Sequence, residues 1–143
     1  MAHLEDLAKT TLEKIRDVYN FLIKKYNGEV LKESYDHYGC EWLVRVNGSL
    51  FRFVWEILDH PYLWRIEVML GCPDSQSRLN EWWNWVVVLE FIAHVWNLQK
   101  PSLDKIREPE WIEQIILFIR HPDYHQRWCK EFKNWYSEYY KSE

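Results

Sequence analysis

Asn47-Gly48 is the point from which the rest of the chain can be read. Residues 41–46 before it alternate polar and apolar, and a second alternating run follows from Ser49. Asn-Gly between two such runs predicts a β-hairpin with a two-residue loop, because both central residues of a type I′ turn take positive φ. A loop that short sets the register. It places Val46 opposite Ser49, Val44 opposite Phe51, Trp42 opposite Phe53 and Cys40 opposite Trp55. The second strand is expected to run to Leu58, and Asp59-His60-Pro61-Tyr62 to turn the chain again, with Pro61 ending the ladder. The third strand then sets Trp64 opposite Ile57, Ile66 opposite Trp55, Val68 opposite Phe53 and Leu70 opposite Phe51.

Side chains on a strand alternate between faces, so the two hairpins test each other. They agree. One face collects Trp42, Val44, Phe51, Phe53, Trp55, Ile57, Trp64, Ile66, Val68 and Leu70. This is the predicted core face. The other collects Glu41, Arg45, Arg52, Glu56, Arg65 and Glu67, with Leu43, Leu50, Val54, Leu58, Leu63 and Met69 among them. Glu56 falls opposite Arg65, a favourable cross-strand pair.

Helical patterns flank this meander. Residues 3–27 carry one apolar stripe, including Leu4, Leu7, Ala8, Leu12, Ile15, Tyr19 and Leu22, and Asn27-Gly28 is a stop signal. Residues 29–39 are ambiguous. Glu29 to Tyr35 has poor alternation, yet a turn at Asp36-His37-Tyr38-Gly39 would add it as a fourth strand. Beyond the sheet, residues 76–98 are so rich in Trp and Val that a helix apolar nearly all round, and hence buried, is expected. Ser102–Arg107 reads as a short turn, and Pro109 as the first residue of another helix. Residues 123–141 read as a last amphipathic helix, with Tyr124, Trp128, Phe132, Trp135, Tyr136 and Tyr139 on one face. The expected fold is α+β: an N-terminal helix, a three- or four-stranded antiparallel meander, and a helical C-terminal half packed on one face of the sheet. At 143 residues, one globular domain over 1–143 is the expectation.

Composition narrows the function classes. The net charge is -4 and Lys and Arg form no run, which argues against nucleic acid. The sequence holds no stretch of about 18 uncharged apolar residues and no signal-peptide pattern, so a cytoplasmic protein off the membrane is expected. Three cysteines with no obvious pairing fit that compartment. Ten Trp, nine Tyr and six Phe exceed what a chain this small can bury, and aromatic side chains left at the surface are common at interfaces.

Two spacings could carry chemistry. His121, His125 and Cys129 would stack on a helix, but Pro122 puts His121 ahead of it and a fourth ligand is missing, so no metal site is assigned. Glu90 and His94 stand four apart and could be an acid and an imidazole in an aromatic pocket, or a structural pair. With four Gly in the chain, no phosphate-cradling or dinucleotide loop is present, and no cofactor is expected. The remaining feature is the mixed sheet face. Leu43, Arg45, Arg52, Val54, Glu56, Arg65, Glu67 and Met69 read as a protein-binding surface. The expected function is a small non-enzymatic binding module, an inhibitor or neutraliser of another protein. The alternative is a small-ligand binder or enzyme built around Glu90 and His94.

Overall fold

The computed structural model describes residues 2–59, 63–71, 80–99, 101–102 and 104–141. The chain divides into two compact units, Met1–Val68 and Met69–Glu143, and its class is α+β.

The first unit opens with helix α1, Ala2–Lys25. Its apolar stripe buries Ala8, Leu12, Ile15, Tyr19, Leu22 and Ile23, and Asn27 stops it in the left-handed region at φ 56°. Four antiparallel strands follow in sequence order: β1 Glu29–Asp36, β2 Gly39–Val46, β3 Ser49–Glu56 and β4 Arg65–Met69. The β2–β3 register is the one expected, from Val46 with Ser49 to Cys40 with Trp55. Asn47 and Gly48 take φ values of 51° and 82°, as a type I′ turn requires.

The ambiguous stretch is therefore a strand. β1 pairs with β2 from Glu29–Arg45 to Asp36–Gly39, with a register shift between Val30 and Lys32. That bulge spends Leu31 as an extra residue, which is why the alternation fails there. The turn at His37-Tyr38 is closed by the Asp36 carboxylate, whose Oδ1 accepts from the amides of Tyr38 (2.8 Å) and Gly39 (3.2 Å). Gly39 has φ 154°, and a Cβ there would lie 2.0 Å from the Trp55 carbonyl oxygen, so only glycine fits.

β3 ends at Glu56, two residues short of the Leu58 expected from its pattern. Asp59 folds back on the strand end. Its Oδ2 accepts from the Glu56 amide at 2.9 Å, and its own amide donates to the Glu56 carbonyl at 2.8 Å. Leu58 is left 95% exposed at the surface. The rest of the expected four-residue turn, residues 60–62, lies outside the described residues. The core face holds as read: nine of its ten positions are buried, and Ile57, now in the turn, is half-buried. Tyr19 of α1 seats on it, 4.5 Å from the Phe53 ring, and accepts a hydrogen bond from Trp64 Nε1 at 3.0 Å.

The second unit holds a two-residue strand, β5 Trp83–Asn84, and three helices: α2 Trp85–Trp96, α3 Pro109–Arg120 and α4 Cys129–Lys141. A π-helical turn, Tyr124–Trp128, leads into α4. The long buried helix expected over 76–98 is corrected. Residues 76–79 lie outside the described residues, and the helix begins only at Trp85, because the Asn84 side chain caps it by accepting from the Val86 amide at 2.9 Å. Nor is it buried all round. Trp85, Val88, Leu89, Phe91 and Ile92 are inside, while Val86, Val87, Val95 and Trp96 are half-exposed. The helices interlock through rings. Phe118 stacks on Trp128 at 4.4 Å and meets Phe91, Trp96 and Tyr124 edge-on at 5.6–5.7 Å. The Tyr124 hydroxyl donates to the Gly71 carbonyl. No described helix is long and apolar enough to cross a membrane.

Candidate protein-binding surface

Period-two alternation turns Leu43, Arg45, Arg52, Val54, Glu56, Arg65, Glu67 and Met69 to the sheet face opposite α1, and none of them is buried. The expected residues thus share one surface. β1 adds Glu29, Lys32 and Ser34 to it, since these pair with Arg45, Leu43 and Glu41. Sequence reading missed them because the bulge hides the Lys32, Ser34, Asp36 alternation until the register is known.

Opposite charges tile this face. Lys32 Nζ lies 2.7 Å from Glu41, Glu41 lies 3.9 Å from the Arg52 guanidinium, and Arg52 reaches Glu67 at 2.7 Å through Nη2 and 3.0 Å through Nε. One row of alternating charge therefore crosses four strands. Arg65 forms a second group, 2.7 Å from Glu56 and 3.8 Å from Asp59, and Arg45 a third, 3.8 Å from Glu29. Exposed pairs of this kind stabilise a fold by about 0–1 kcal/mol each. Their larger effect is to hold the guanidinium groups in place. Arg45 is the most loosely held of the three arginines. Leu43, Leu50, Val54 and Met69 lie half-exposed between these charges, giving the mix of apolar and Arg surface typical of interfaces.

The second candidate lies within the helical unit. Phe91 and His94 of α2 and Glu131, Asn134, Trp135 and Glu138 of α4 line an open groove of about 560 Å³. The His94 ring sits 6.2 Å from that of Trp135. Of the two residues offered as an acid and an imidazole, His94 is exposed and lines this groove, while Glu90 is half-buried. Arg127 sits 2.8 Å from Glu131 across one helical turn, and this carboxylate raises the Arg127 pKa.

Of the histidine–cysteine series, His121 caps the end of α3, with Nδ1 accepting from the Asp123 amide at 3.1 Å and its ring 4.7 Å from that of Trp128. The side chains of His125 and Cys129 lie outside the described residues. Among the described residues, no group of three or more His, Cys, Asp or Glu is placed to hold a metal ion. Cys40 is buried and free, and desolvation pushes its thiol up to about 11, against a smaller lowering by a hydrogen bond from the Trp55 backbone. No known protein family, curated protein or solved structure matches the chain.

Proposed function

We propose that the chain is a non-enzymatic protein-binding module whose open sheet face docks another protein. In this reading it acts in the cytoplasm as an inhibitor or neutraliser, as immunity proteins, antitoxins and phage-encoded inhibitors do. One observation carries it: four half-exposed apolar side chains, Leu43, Leu50, Val54 and Met69, are set among three ion-pair groups, on the sheet face that the core does not use. A solvated face has little use for so many apolar side chains, and a catalytic site would gather titratable groups in a cleft. The matching partner surface carries an apolar knob rimmed by both signs of charge, with acidic groups for Arg45 and Arg65.

Affinity capture from the native host identifies candidate partners, and calorimetric titration of each with purified protein tests the face. Arg45→Glu and Leu43→Asp should each weaken binding at least tenfold, about 1.4 kcal/mol, while melting curves stay within a few degrees of wild type. A partner that binds both folded variants as tightly as wild type excludes this face. The groove beside His94 supports the alternative, a small-ligand site. A small molecule that raises the melting temperature of wild type but not of Trp135→Ala, with no protein partner recovered, would establish that reading instead.

A further inference from the structure

β1 is the outermost strand in the sheet order, and no described strand lies beyond it. Every residue of β1 is exposed except Ser34, which is half-exposed. Four of the seven large apolar side chains exposed among the described residues of the first unit lie on it or its turn: Val30, Leu31, Tyr35 and Tyr38. An uncovered edge strand of eight residues is a template for strand addition.

The backbone directions on this edge follow from the turn. Residues flanking a two-residue hairpin loop exchange hydrogen bonds, so Asp36 bonds to Gly39 and, two residues back, Ser34 bonds to Glu41. Glu33 and Tyr35, between and before them, must turn their amides and carbonyls outward. Side chains alternate as well. Lys32, Ser34 and Asp36 lie on the open face, and Glu33 and Tyr35 on the α1 face, where Glu33 accepts from Trp42 Nε1 at 3.0 Å.

We propose that β1 pairs antiparallel with β1 of a second copy of this chain, about a two-fold axis through Ser34. Antiparallel partners that sit opposite must point to the same face, so the axis has to pass through a residue and not between two. Four centres are possible in the flat stretch that follows the bulge. Centring on Lys32 or Glu33 sets like charges against each other on the axis, and centring on Tyr35 leaves only residues 34–36 within the strand. Centring on Ser34 uses all of 32–36. It sets Lys32 opposite Asp36 of the second copy twice over, and Glu33 opposite Tyr35 twice over. Those last two pairs are the ones whose amides and carbonyls already point outward, so hydrogen bonds form without changing the β1–β2 ladder. The Lys32–Asp36 contacts also extend the charge row Glu67–Arg52–Glu41–Lys32 across the axis. The two open faces would then merge into one continuous sheet surface, whether or not that surface is the docking face proposed above.

Two measurements on the full chain decide it. Sedimentation velocity over a concentration series should show a monomer–dimer equilibrium. Tyr35→Pro, which removes an outward amide at an edge position where proline is tolerated, should weaken that equilibrium at least tenfold without loss of helix and strand signal. Ser34→Cys tests the register. Opposed residues of a pair not hydrogen-bonded to each other lie about 4.5 Å apart at Cα, within disulfide range. Mild oxidation of Ser34→Cys should therefore give a covalent dimer well above the wild-type background. Lys32→Cys should not, because the two copies of residue 32 lie about 13 Å apart along the strands. A wild-type chain that stays monomeric at its highest soluble concentration overturns the proposal. So does cross-linking of Ser34→Cys no faster than of Lys32→Cys.

Discussion

The two units hold themselves together by different means. In the first, backbone ladders and tight turns set the geometry, and side chains occupy positions already decided by register: Trp42, Phe53 and Trp55 are buried because alternation turns them inward. In the second, among the described residues, regular ladders are short and the order comes from rings. Phe91, Phe118, Phe132, Trp83, Trp128 and Tyr136 meet at 4.4–6.3 Å with mostly edge-on geometry. A ladder tolerates a changed side chain as long as the backbone stays paired. A cluster of rings has no such frame, and each ring is also the wall against which the next is placed.

The largest effect that separates the two designs comes from one truncation in each. Trp55→Ala and Phe118→Ala should each cost about 3–5 kcal/mol in urea melts, since both side chains are buried. Amide exchange then tells them apart. Phe118→Ala should loosen protection broadly across α2, α3 and α4, whereas Trp55→Ala should leave the β1–β2 ladder largely protected. Equal and uniform loss in both variants would break the contrast.

Next in size is a pH effect confined to the ladder unit. Cys40 keeps its proton in the fold up to about 11, above its ordinary value of 9.0. The folded pKa is raised, so the contribution is complete below pH 9 and disappears as pH climbs through 9 toward 11. The loss should approach about 3 kcal/mol at most, and Cys40→Ala should flatten the alkaline limb of the stability curve. An unchanged slope in that variant would mean that other groups set the limb.

The smallest effects compare local signals. Gly48→Ala meets open space, so its cost is backbone strain at positive φ alone, about 1–2 kcal/mol. Asn84→Ala removes the cap of α2 and should cost about 1 kcal/mol. Thermal melts that reverse this order would show the turn to be softer than its dihedrals imply.

The same contrast explains what could be read from the chain. The meander was legible because Asn47-Gly48 fixes a register and period-two alternation verifies it on two hairpins at once. α1 and α3 were legible because their ends carry Asn27-Gly28 and Pro109. The start of α2 was not. Trp82, Trp83 and Trp85–Leu89 are apolar at both helical and strand spacing, so periodicity has nothing to distinguish, and the deciding residue was Asn84, a single capping side chain. The open face was legible as a face, but β1's share of it was hidden by one bulged residue, Leu31.

The two tight turns also set how this chain would find its structure. Residues 29–56 make three strands joined by loops of two residues each, so every contact in β1–β2–β3 lies close in sequence. Closing such loops costs little chain entropy, and hairpins of this kind form in about 1–10 μs. The ladder should be the earliest part of the first unit to assemble, with α1 docking onto it, and the aromatic strands should spend little time unpaired. Speed at this step protects a chain whose most aromatic strands would otherwise adhere to one another before they fold.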